Sequence, residues 1–294
     1  SYLENLNEAQ QRAVMFDHKK ALQIIAGPGT GKTKVLTARF AYLVLQKGIQ
    51  AEDIVMTTFT RKAAEEMKER LLPVLVSHGI SPHGLKIGTF HSICWKLLKE
   101  KGFLIGREKI ERATTEKIKS VLEEIIVEMP DQIRDYATTK SYRNSVSLCR
   151  IKNNQWQVHP DMILKRISEL KADAMTPEKY GQQAVFDEAL LHFYQQYQAK
   201  LSKENLIDFD DVMLYSFELL SKHRVWKNIK HVLVDEFQDT NLLQINLIFQ
   251  LARGSHHSCE GVTVVGDPDQ GIYGFRSALS HNFQTMIELC PIQY

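Results

Sequence analysis

Two segments far apart in the chain carry residue types that bind phosphate and its metal ion. The first is a glycine-rich loop made of Ala26, Gly27, Pro28, Gly29, Thr30, Gly31, Lys32 and Thr33. The second is the apolar run Val232–Val234 with Asp235 and Glu236 directly after it. Glycines let backbone N–H groups converge on phosphate oxygens, a lysine reaches the β- and γ-phosphates, and a threonine hydroxyl binds Mg²⁺. Together the two segments predict a nucleoside triphosphatase that uses ATP and Mg²⁺.

The residues around the loop predict the elements that must position it. Ala21–Ile25 is a short apolar run typical of a buried strand, and the periodic stretch from Lys32 to Leu45 predicts a helix that Gly48 ends. The N-terminus of that helix adds its positive dipole end to the phosphate site. Ala26 stands where the pattern usually has glycine, and its small side chain still permits the turn.

The carboxylates follow a predicted buried strand, and ligands of open α/β sheets bind beyond the carboxyl ends of strands. Asp235 is therefore expected to hold Mg²⁺ together with Thr33. Glu236 is the candidate for orienting and deprotonating the attacking water. The alternative, a solvated acidic loop, does not explain why the charges follow a run of branched apolar residues.

Composition agrees with this interpretation. The chain has 294 residues, of which 44% are hydrophobic and 24% charged, as in globular domains. No apolar run approaches the roughly 20 residues of a membrane span, and from the first residues of the sequence we expect no signal peptide. The formal net charge of +2 does not by itself indicate nucleic-acid binding, so any such site must be a local groove.

Further motifs occur in order along the chain and resemble those of superfamily-1 helicases of the UvrD/Rep/PcrA type. Leu6–Val14 is similar to their adenine-recognising segment, and Thr57–Ala64 and Gly88–Ser92 to two DNA-contact motifs. Asp208–Asp211 resembles the helix that re-enters the motor domain, and Gly266–Arg276 the motif that couples nucleotide to DNA. Within the family, the amino-acid sequences of the carboxylate motif and the coupling motif are most similar to those of yeast anti-recombinase helicases.

The resemblance implies an α/β fold, a RecA-like P-loop NTPase domain on a parallel sheet with an all-helical inserted subdomain. Strands and helices alternate at both ends of the chain, whereas between Phe103 and Phe186 only helices are predicted. We therefore expect the motor domain in residues 1–102 and 187–294 and the insertion in residues 103–186. The second RecA-like domain of the family would follow Tyr294, so we expect residues 1–294 alone to be impaired in hydrolysis.

The implied function is an ATP-dependent DNA helicase that moves 3′→5′ on single-stranded DNA in DNA repair and recombination control. Its expected partners are single-stranded DNA, single/double-strand junctions and recombinase filaments, with no membrane. The similarity of these motifs to yeast helicases implies that the protein is located in the nucleus, with the bacterial cytoplasm or the mitochondrion as alternatives. Two other functions remain open, namely a helicase subunit of a RecB/AddA-like helicase–nuclease and a nucleotide-gated DNA-binding module without motor output.

The resemblance also implies roles for individual residues of the nucleotide site. Gln10 would recognise adenine, because its carboxamide can both donate and accept. Arg39 would lie near the base, with an exposed helix arginine as the alternative. Gln270 would sense the γ-phosphate, and Gln238 would lie beside Glu236. The remaining acids of the coupling motif, such as Asp267, are assigned no chemistry.

For DNA, the resemblance implies aromatic side chains that stack on bases and polar ones that hold phosphates. Taken singly, such an aromatic is more often a core residue than a base-stacking one, and the motif context reverses this preference in favour of DNA. The predicted DNA-binding residues are Phe59, Arg61, Thr89, His91, Tyr273 and Phe275.

A basic strip on the predicted insertion is independent of the resemblance. No acidic residue occurs between Asp135 and Asp161, and the segment contains Lys140, Arg143, Arg150, Lys152, Tyr136, Tyr142 and Trp156. Cations interleaved with aromatics favour nucleic-acid contact, and a solvated face is the equally weighted alternative.

Overall fold

The computed structural model describes residues 2–139, 147–252 and 261–267 of the chain. The chain forms two compact units, one made of Ser1–Lys101 and Ser216–Tyr294 and the other of Gly102–Tyr215. Both phosphate-handling segments belong to the first unit. The second unit therefore interrupts the first one in the sequence.

Strands and helices alternate in the first unit, and helices dominate the second. The described strands are β1 (Leu22–Ile25), β2 (Ile54–Thr58), β3 (Lys86–Thr89), β4 (Glu111–Arg112), β5 (Cys149–Lys152), β6 (Gln155–Val158), β7 (Leu206–Ile207), β8 (His231–Val234) and β9 (Val262–Gly266). The described helices are α1 (Glu8–Met15), α2 (Lys32–Leu45), α3 (Arg61–Ser77), α4 (Phe90–Lys101), α5 (Thr115–Glu128), α6 (Asp131–Thr138), α7 (Pro160–Ala172), α8 (Pro177–Gly181), α9 (Glu188–Lys203), α10 (Phe209–Lys222) and α11 (Leu242–Ala252). None of the helices in the described ranges is long and apolar enough to cross a membrane.

The first unit is built on a five-stranded sheet in the order β1-β9-β8-β2-β3. Every pair of neighbours is parallel. In the register, Ile25 lies opposite Gly266, and Val234 lies opposite both Val264 and Thr57. The strands therefore end at a common edge, and the segments that follow β1, β8, β2 and β9 meet there. This confirms the predicted α/β fold with a parallel sheet.

Apolar side chains cover both faces of this sheet. Met56 and Leu233 pack with the buried faces of α2 and α3 in one cluster that includes Phe40. Val55 and Val232 alternate with them along the strands and are also fully buried. Because side chains alternate between the two faces of a strand, burial on both faces is what a parallel sheet between helical layers requires.

The second unit packs α5, α6, α7 and α9 around its own apolar core, in which Leu122, Ile167 and Phe193 are almost fully buried. Its first boundary lies within one residue of the predicted one. Its second boundary lies at Tyr215 rather than at residue 186. The physical reason is that α9 and the first half of α10 do not return to the sheet, since the apolar face of α9 is buried in the core of this unit.

The insertion is not all-helical, which corrects that part of the prediction. Strands β5 and β6 form an antiparallel hairpin in which Ile151 pairs with Trp156, and β4 pairs in parallel with β7. The turn residues Asn153 and Asn154 have φ of 51° and 59°, as a two-residue type I′ turn requires. Asn-Asn is a weaker turn signal than Asn-Gly, and strands of four residues give little periodicity.

Candidate functional site

The phosphate loop connects the end of β1 to the start of α2. Gly29 and Gly31 have φ of 70° and 81°, a left-handed conformation that favours glycine. Thr30 Oγ1 donates to the Gly27 carbonyl at 2.7 Å and braces the turn. Gly31 caps α2 without a side-chain hydrogen bond from the described residues, so the first N–H groups of the helix point into a site suited to an anion. The predicted loop residues Ala26, Gly27, Pro28, Gly29, Thr30 and Gly31 all lie in this connection.

Thr33 and Asp235 come together at the edge of the sheet. Thr33 Oγ1 donates to Asp235 Oδ2 at 3.1 Å, and the backbone N–H of Asp235 continues the sheet by donating to Thr57 O at 2.9 Å. Burial of Asp235, followed by repulsion from Glu236, raises the pKa of its carboxyl group above the usual range. A hydroxyl and a carboxylate are hard oxygen ligands, and a divalent cation would relieve the repulsion between two adjacent carboxylates. The residues therefore fit the predicted Mg²⁺.

Lys32 and Glu236 form an ion pair beside this oxygen cluster. Lys32 Nζ lies 3.5 Å from Glu236 Oε2, and the lysine side chain is only 9% exposed while that of Glu236 is 35% exposed. Glu236 has φ 52° and ψ 45°, a left-handed conformation that is uncommon for a residue with a side chain. Such strain often occurs at functional sites, where the surrounding structure holds the residue in place. Here it turns Glu236 toward the phosphate loop.

Gln238 contacts Glu236 directly. Gln238 Nε2 donates to Glu236 Oε2 at 2.6 Å, and Gln238 Oε1 accepts from the backbone N–H of Asp267 at 3.0 Å. The structure thus places Gln238 next to the candidate catalytic carboxylate, where the sequence predicts it. Asp267, which the sequence interpretation left without a role, takes part through its backbone, and no side-chain pattern could have revealed this.

Gln10 contacts the phosphate loop at Thr30. Its Nε2 donates to Thr30 O at 2.8 Å, and its Oε1 accepts from the backbone N–H of Asn7 at 2.9 Å. Asn7 caps α1 reciprocally by accepting from the backbone N–H of Gln10. A carboxamide has two donors and two acceptor positions, so Gln10 keeps one of each for a base. Its role in recognising adenine remains a prediction.

Comparison with protein families shows to which family the chain belongs. The model of the UvrD/REP helicase N-terminal domain matches residues 6–291, which is nearly the whole chain. The chain belongs to the UvrD/REP helicase family. The resemblance inferred from the motifs is thereby confirmed.

Three curated relatives of this UvrD/REP family chain are named ATP-dependent DNA helicases. It is 52% identical over 295 residues to ATP-dependent DNA helicase SRS2 of Saccharomyces cerevisiae, covering 99% of this chain and 25% of the relative. It is 40% identical to srs2 of Schizosaccharomyces pombe, over 98% of this chain and 32% of the relative. PcrA of Bacillus subtilis is 34% identical over 94% of this chain and 34% of its own length. The chain thus spans a quarter to a third of the length of these relatives.

Arg39 of the UvrD/REP family chain does not lie where the sequence predicts. It is fully buried, with Nε donating to Thr263 Oγ1 at 2.8 Å. Its Nη1 donates to the carbonyls of Ala13, Val14 and Phe16 at 2.9 to 3.0 Å. A side chain without solvent exposure that binds the end of α1 has no access to a base. We therefore correct its role from nucleotide contact to fixing α1 against the sheet.

The predicted DNA-contact residues of this UvrD/REP family chain follow the ends of β2 and β3. Phe59 is half-buried and makes an edge-to-face contact with Phe90, with ring centroids 6.2 Å apart. Thr89 Oγ1 accepts from the backbone N–H of Ser92 and so begins α4. Arg61 is exposed at the start of α3.

These residues share the carboxyl edge of the sheet with the phosphate loop because β2 and β3 are parallel neighbours in register. His91 follows β3 on the first turn of α4 and is partly exposed. The predicted residues Gln270, Tyr273 and Phe275 lie outside the described residues.

Proposed function

We propose that the protein containing this chain is an ATP-dependent DNA helicase that moves 3′→5′ on single-stranded DNA, and that this chain supplies its ATP-binding half. One observation carries the proposal. Lys32 and Thr33 of the phosphate loop contact Glu236 and Asp235 at the carboxyl edge of one parallel sheet. Membership of the UvrD/REP family and the names of the relatives support the same activity.

Binding of ATP would use the donors that the loop presents. Among the described residues, no side chain caps the N-terminal N–H groups of α2, and the positively charged, nearly buried Lys32 lies beside them. A triphosphate would draw Lys32 away from Glu236, because its oxygens offer the ammonium group more negative charge than one carboxylate does. Gln10, bonded to Thr30 at the rim of the loop, would contact adenine.

Mg²⁺ would be held by Thr33 Oγ1 and Asp235, with phosphate oxygens and water completing its coordination. When bound, it supplies positive charge that stabilises the negative charge developing on the phosphate oxygens. The chain's own contribution is to fix both oxygens in place. The backbone N–H of Glu236 donates to Asp235 Oδ1 at 3.0 Å and leaves Oδ2 turned toward Thr33.

Glu236 would act on the attacking water. Among the described residues, Lys32 and Gln238 contact its carboxylate, and both do so at Oε2. Oε1 is therefore available to accept a hydrogen bond from water and then its proton, as water attacks the γ-phosphorus and the bond to the β-phosphate oxygen breaks. We propose Glu236 as the catalytic base, with Lys32 stabilising phosphate charge.

DNA would cross the same edge of the sheet. We propose that Phe59 stacks on bases, that Thr89, His91 and Arg61 hold phosphates, and that Tyr273, Phe275 and the nucleotide sensor Gln270 complete the track. Stacking on aromatics and phosphate contacts bind single strands with little base preference. We further propose a role in DNA repair and recombination control, acting on single/double-strand junctions and recombinase filaments. We propose the nucleus as its location, which the similarity to helicases of two yeasts supports.

The decisive experiment measures ATP turnover by the full-length protein with and without single-stranded DNA, together with strand displacement from duplexes that carry a 3′ or a 5′ tail. We expect DNA-stimulated hydrolysis and displacement that requires the 3′ tail. ATP binding without turnover would favour a nucleotide-gated DNA-binding module. Degradation of the DNA would favour a helicase–nuclease.

A further inference from the structure

A hydrogen-bonded chain connects the phosphate loop to Glu236 through one peptide group. The peptide between Gly266 and Asp267 accepts at its carbonyl from Ala26 N–H, at 3.1 Å, and donates from its N–H to Gln238 Oε1, at 3.0 Å. Gln238 Nε2 then donates to Glu236 Oε2 at 2.6 Å. Every link from the first residue of the loop to the carboxylate is therefore a hydrogen bond or a covalent bond.

The orientation of the Gln238 carboxamide is fixed by its partners. Its oxygen must face the N–H of Asp267, and its nitrogen must face the carboxylate of Glu236, since the reverse would set donor against donor and acceptor against acceptor. The side chain is 6% exposed, so water cannot readily replace either partner. The 2.6 Å contact has the length of a strong hydrogen bond to a charged acceptor.

The two hydrogen-bond partners of the Gln238 carboxamide, Asp267 and Glu236, differ in how firmly the sheet holds them. Asp267 directly follows β9, the strand that pairs with both β1 and β8 in the sheet. Glu236 is held in a left-handed backbone conformation, with a side chain that is 35% exposed. The carboxamide therefore ties a partly exposed carboxylate to a fixed point on the central sheet.

We propose that Gln238 is a positioning residue that sets the plane of the Glu236 carboxylate and transmits any shift of the Gly266–Asp267 peptide to it. Its donor fixes Oε2 and so aims Oε1 at the water. Because Gln238 Oε1 accepts from the Gly266–Asp267 peptide at the end of β9, the orientation of the Glu236 carboxylate depends on the position of that peptide. This inference rests on the proposed hydrolysis of ATP at this site and adds a residue that controls the base without touching the substrate.

Two substitutions in the full-length protein separate the two halves of the carboxamide. Gln238→Met removes both hydrogen bonds at similar volume. Gln238→Glu keeps an acceptor for Asp267 N–H but replaces the donor to Glu236 with a second carboxylate, which repels it. Gln244→Met is the matched control, because Gln244 is also 6% exposed and its carboxamide caps α11 at Asn241 without contacting Glu236.

We expect both Gln238 variants to lose about 10- to 100-fold in kcat while the affinity for a fluorescent ATP analogue changes by less than about threefold. The melting temperature should fall in both Gln238 variants, because Gln238→Met leaves Asp267 N–H without this acceptor and Gln238→Glu sets two carboxylates against each other. Gln244→Met should lose stability but keep kcat. Retention of kcat in either Gln238 variant, or a parallel loss of ATP affinity, would overturn the inference. Absence of turnover in the unchanged protein and in Gln244→Met would instead contradict the proposed function.

Discussion

Thr33 Oγ1 donates to Asp235 Oδ2 at 3.1 Å, although 202 residues separate the two positions in the chain. The contact arises because β1 and β8 both pair with β9 and end at the same edge of the sheet. The geometry of the nucleotide site therefore depends on the register of three parallel strands.

Replacing Glu236 by glutamine should separate binding from hydrolysis. The new side chain would have nearly the same shape and could still contact Lys32, but a carboxamide does not accept a proton from water. We expect ATP to stay bound with Mg²⁺ while kcat falls by about 100-fold or more. Phosphate release and binding of a fluorescent ATP analogue measure the two effects.

Lys32→Ala provides the contrast to that variant. It removes the cation that would hold the β- and γ-phosphates, so ATP affinity should fall along with turnover. If Glu236→Gln lost affinity as strongly as Lys32→Ala, the assignment of Glu236 to the hydrolytic step would be wrong.

Gln10 should control the choice of base. Gln10→Glu keeps an acceptor for Asn7 N–H and so preserves the cap of α1, but it removes the donor that the carboxamide offers. We expect kcat/KM for ATP to fall about 10-fold more than the value for GTP, because the lost donor to Thr30 O affects both nucleotides, whereas a lost hydrogen bond to adenine, worth about 1–2 kcal/mol, affects only ATP. Gln11→Glu, one residue along the same helix, is the control. Equal losses for both nucleotides would exclude base recognition by Gln10.

The β/α order and the phosphate site were predictable because their signals are local. The glycine loop and the carboxylates each directly follow a strand, so both are expected at the carboxyl edge of the sheet. Parallel pairing of the strands then brings the two segments together. The hairpin β5–β6 and the extent of the insertion were not predictable, because both depend on tertiary packing. Residues 187–215 contain helices that could pack on either unit, and only the burial of α9 decides between them.

The position of Arg39 could not be predicted from the sequence for a different reason. Helix α2 is buried on most of its surface, so its periodicity does not distinguish an outward face on which an arginine would be exposed. The partners of Arg39 are carbonyls at the end of α1 and the hydroxyl of Thr263, which lies 224 residues away. No motif describes such a set of acceptors.

Lys171 should be essential for the stability of the second unit. Its fully buried ammonium contacts Asp208 Oδ2 at 2.6 Å and Asp211 Oδ1 at 2.7 Å. Burial favours a raised pKa at both carboxyls; at Asp208 attraction to Lys171 outweighs it and lowers the pKa, whereas the pKa of Asp211 rises to about 6. Lys171→Met would leave two carboxylates buried without a cation, and we expect a loss of about 3–5 kcal/mol in the free energy of unfolding.

Urea unfolding of Lys171→Met measures that loss, and Lys117→Met serves as the control. Lys117 pairs with Glu204 at 2.6 Å, but both side chains are substantially exposed, so its loss should be below about 1 kcal/mol. Adding Asp208→Asn and Asp211→Asn to Lys171→Met should recover part of the stability. Equal effects of the two lysine substitutions would contradict the role of burial.

His231 should make the first unit sensitive to acid. Burial, followed by repulsion from Arg39 and His18, lowers the pKa of its imidazole well below 6.5. In the unfolded chain this imidazole takes up a proton near pH 6.5, whereas in the folded state it stays neutral at that pH. The free energy of unfolding is therefore highest above pH 6.5 and falls as the pH drops below it, by up to about 1.4 kcal/mol per pH unit. His231→Gln can still bond to Thr263 Oγ1 and cannot titrate. We expect unfolding experiments between pH 7 and 5 to show a shallower loss in this variant, and an identical slope would exclude His231 as the source.

The exposed hairpin β5–β6 provides the described part of the basic strip. Arg150 and Lys152 lie on one face of the hairpin, because they alternate with Ile151 along β5. Arg150 Nη1 forms a surface ion pair with Asp161 at 3.3 Å, which a phosphate could replace at little cost. Arg143, the other arginine of the strip, lies outside the described residues.

If the strip binds DNA phosphates, charge reversal there must change the salt dependence of binding and not only the affinity. Each lost phosphate contact lowers the slope of log K against log salt by about 1, so Arg150→Glu with Lys152→Glu should reduce it by about 2. Lys119→Glu with Lys165→Glu, at exposed positions of α5 and α7 in the same unit, gives the same change in net charge and is the control. Fluorescence anisotropy with labelled DNA at several salt concentrations gives both slopes. An unchanged slope in the double variant, or the same reduction in the control, would mean that the strip is an ordinary solvated surface, since release of counterions occurs only where a cation meets a phosphate.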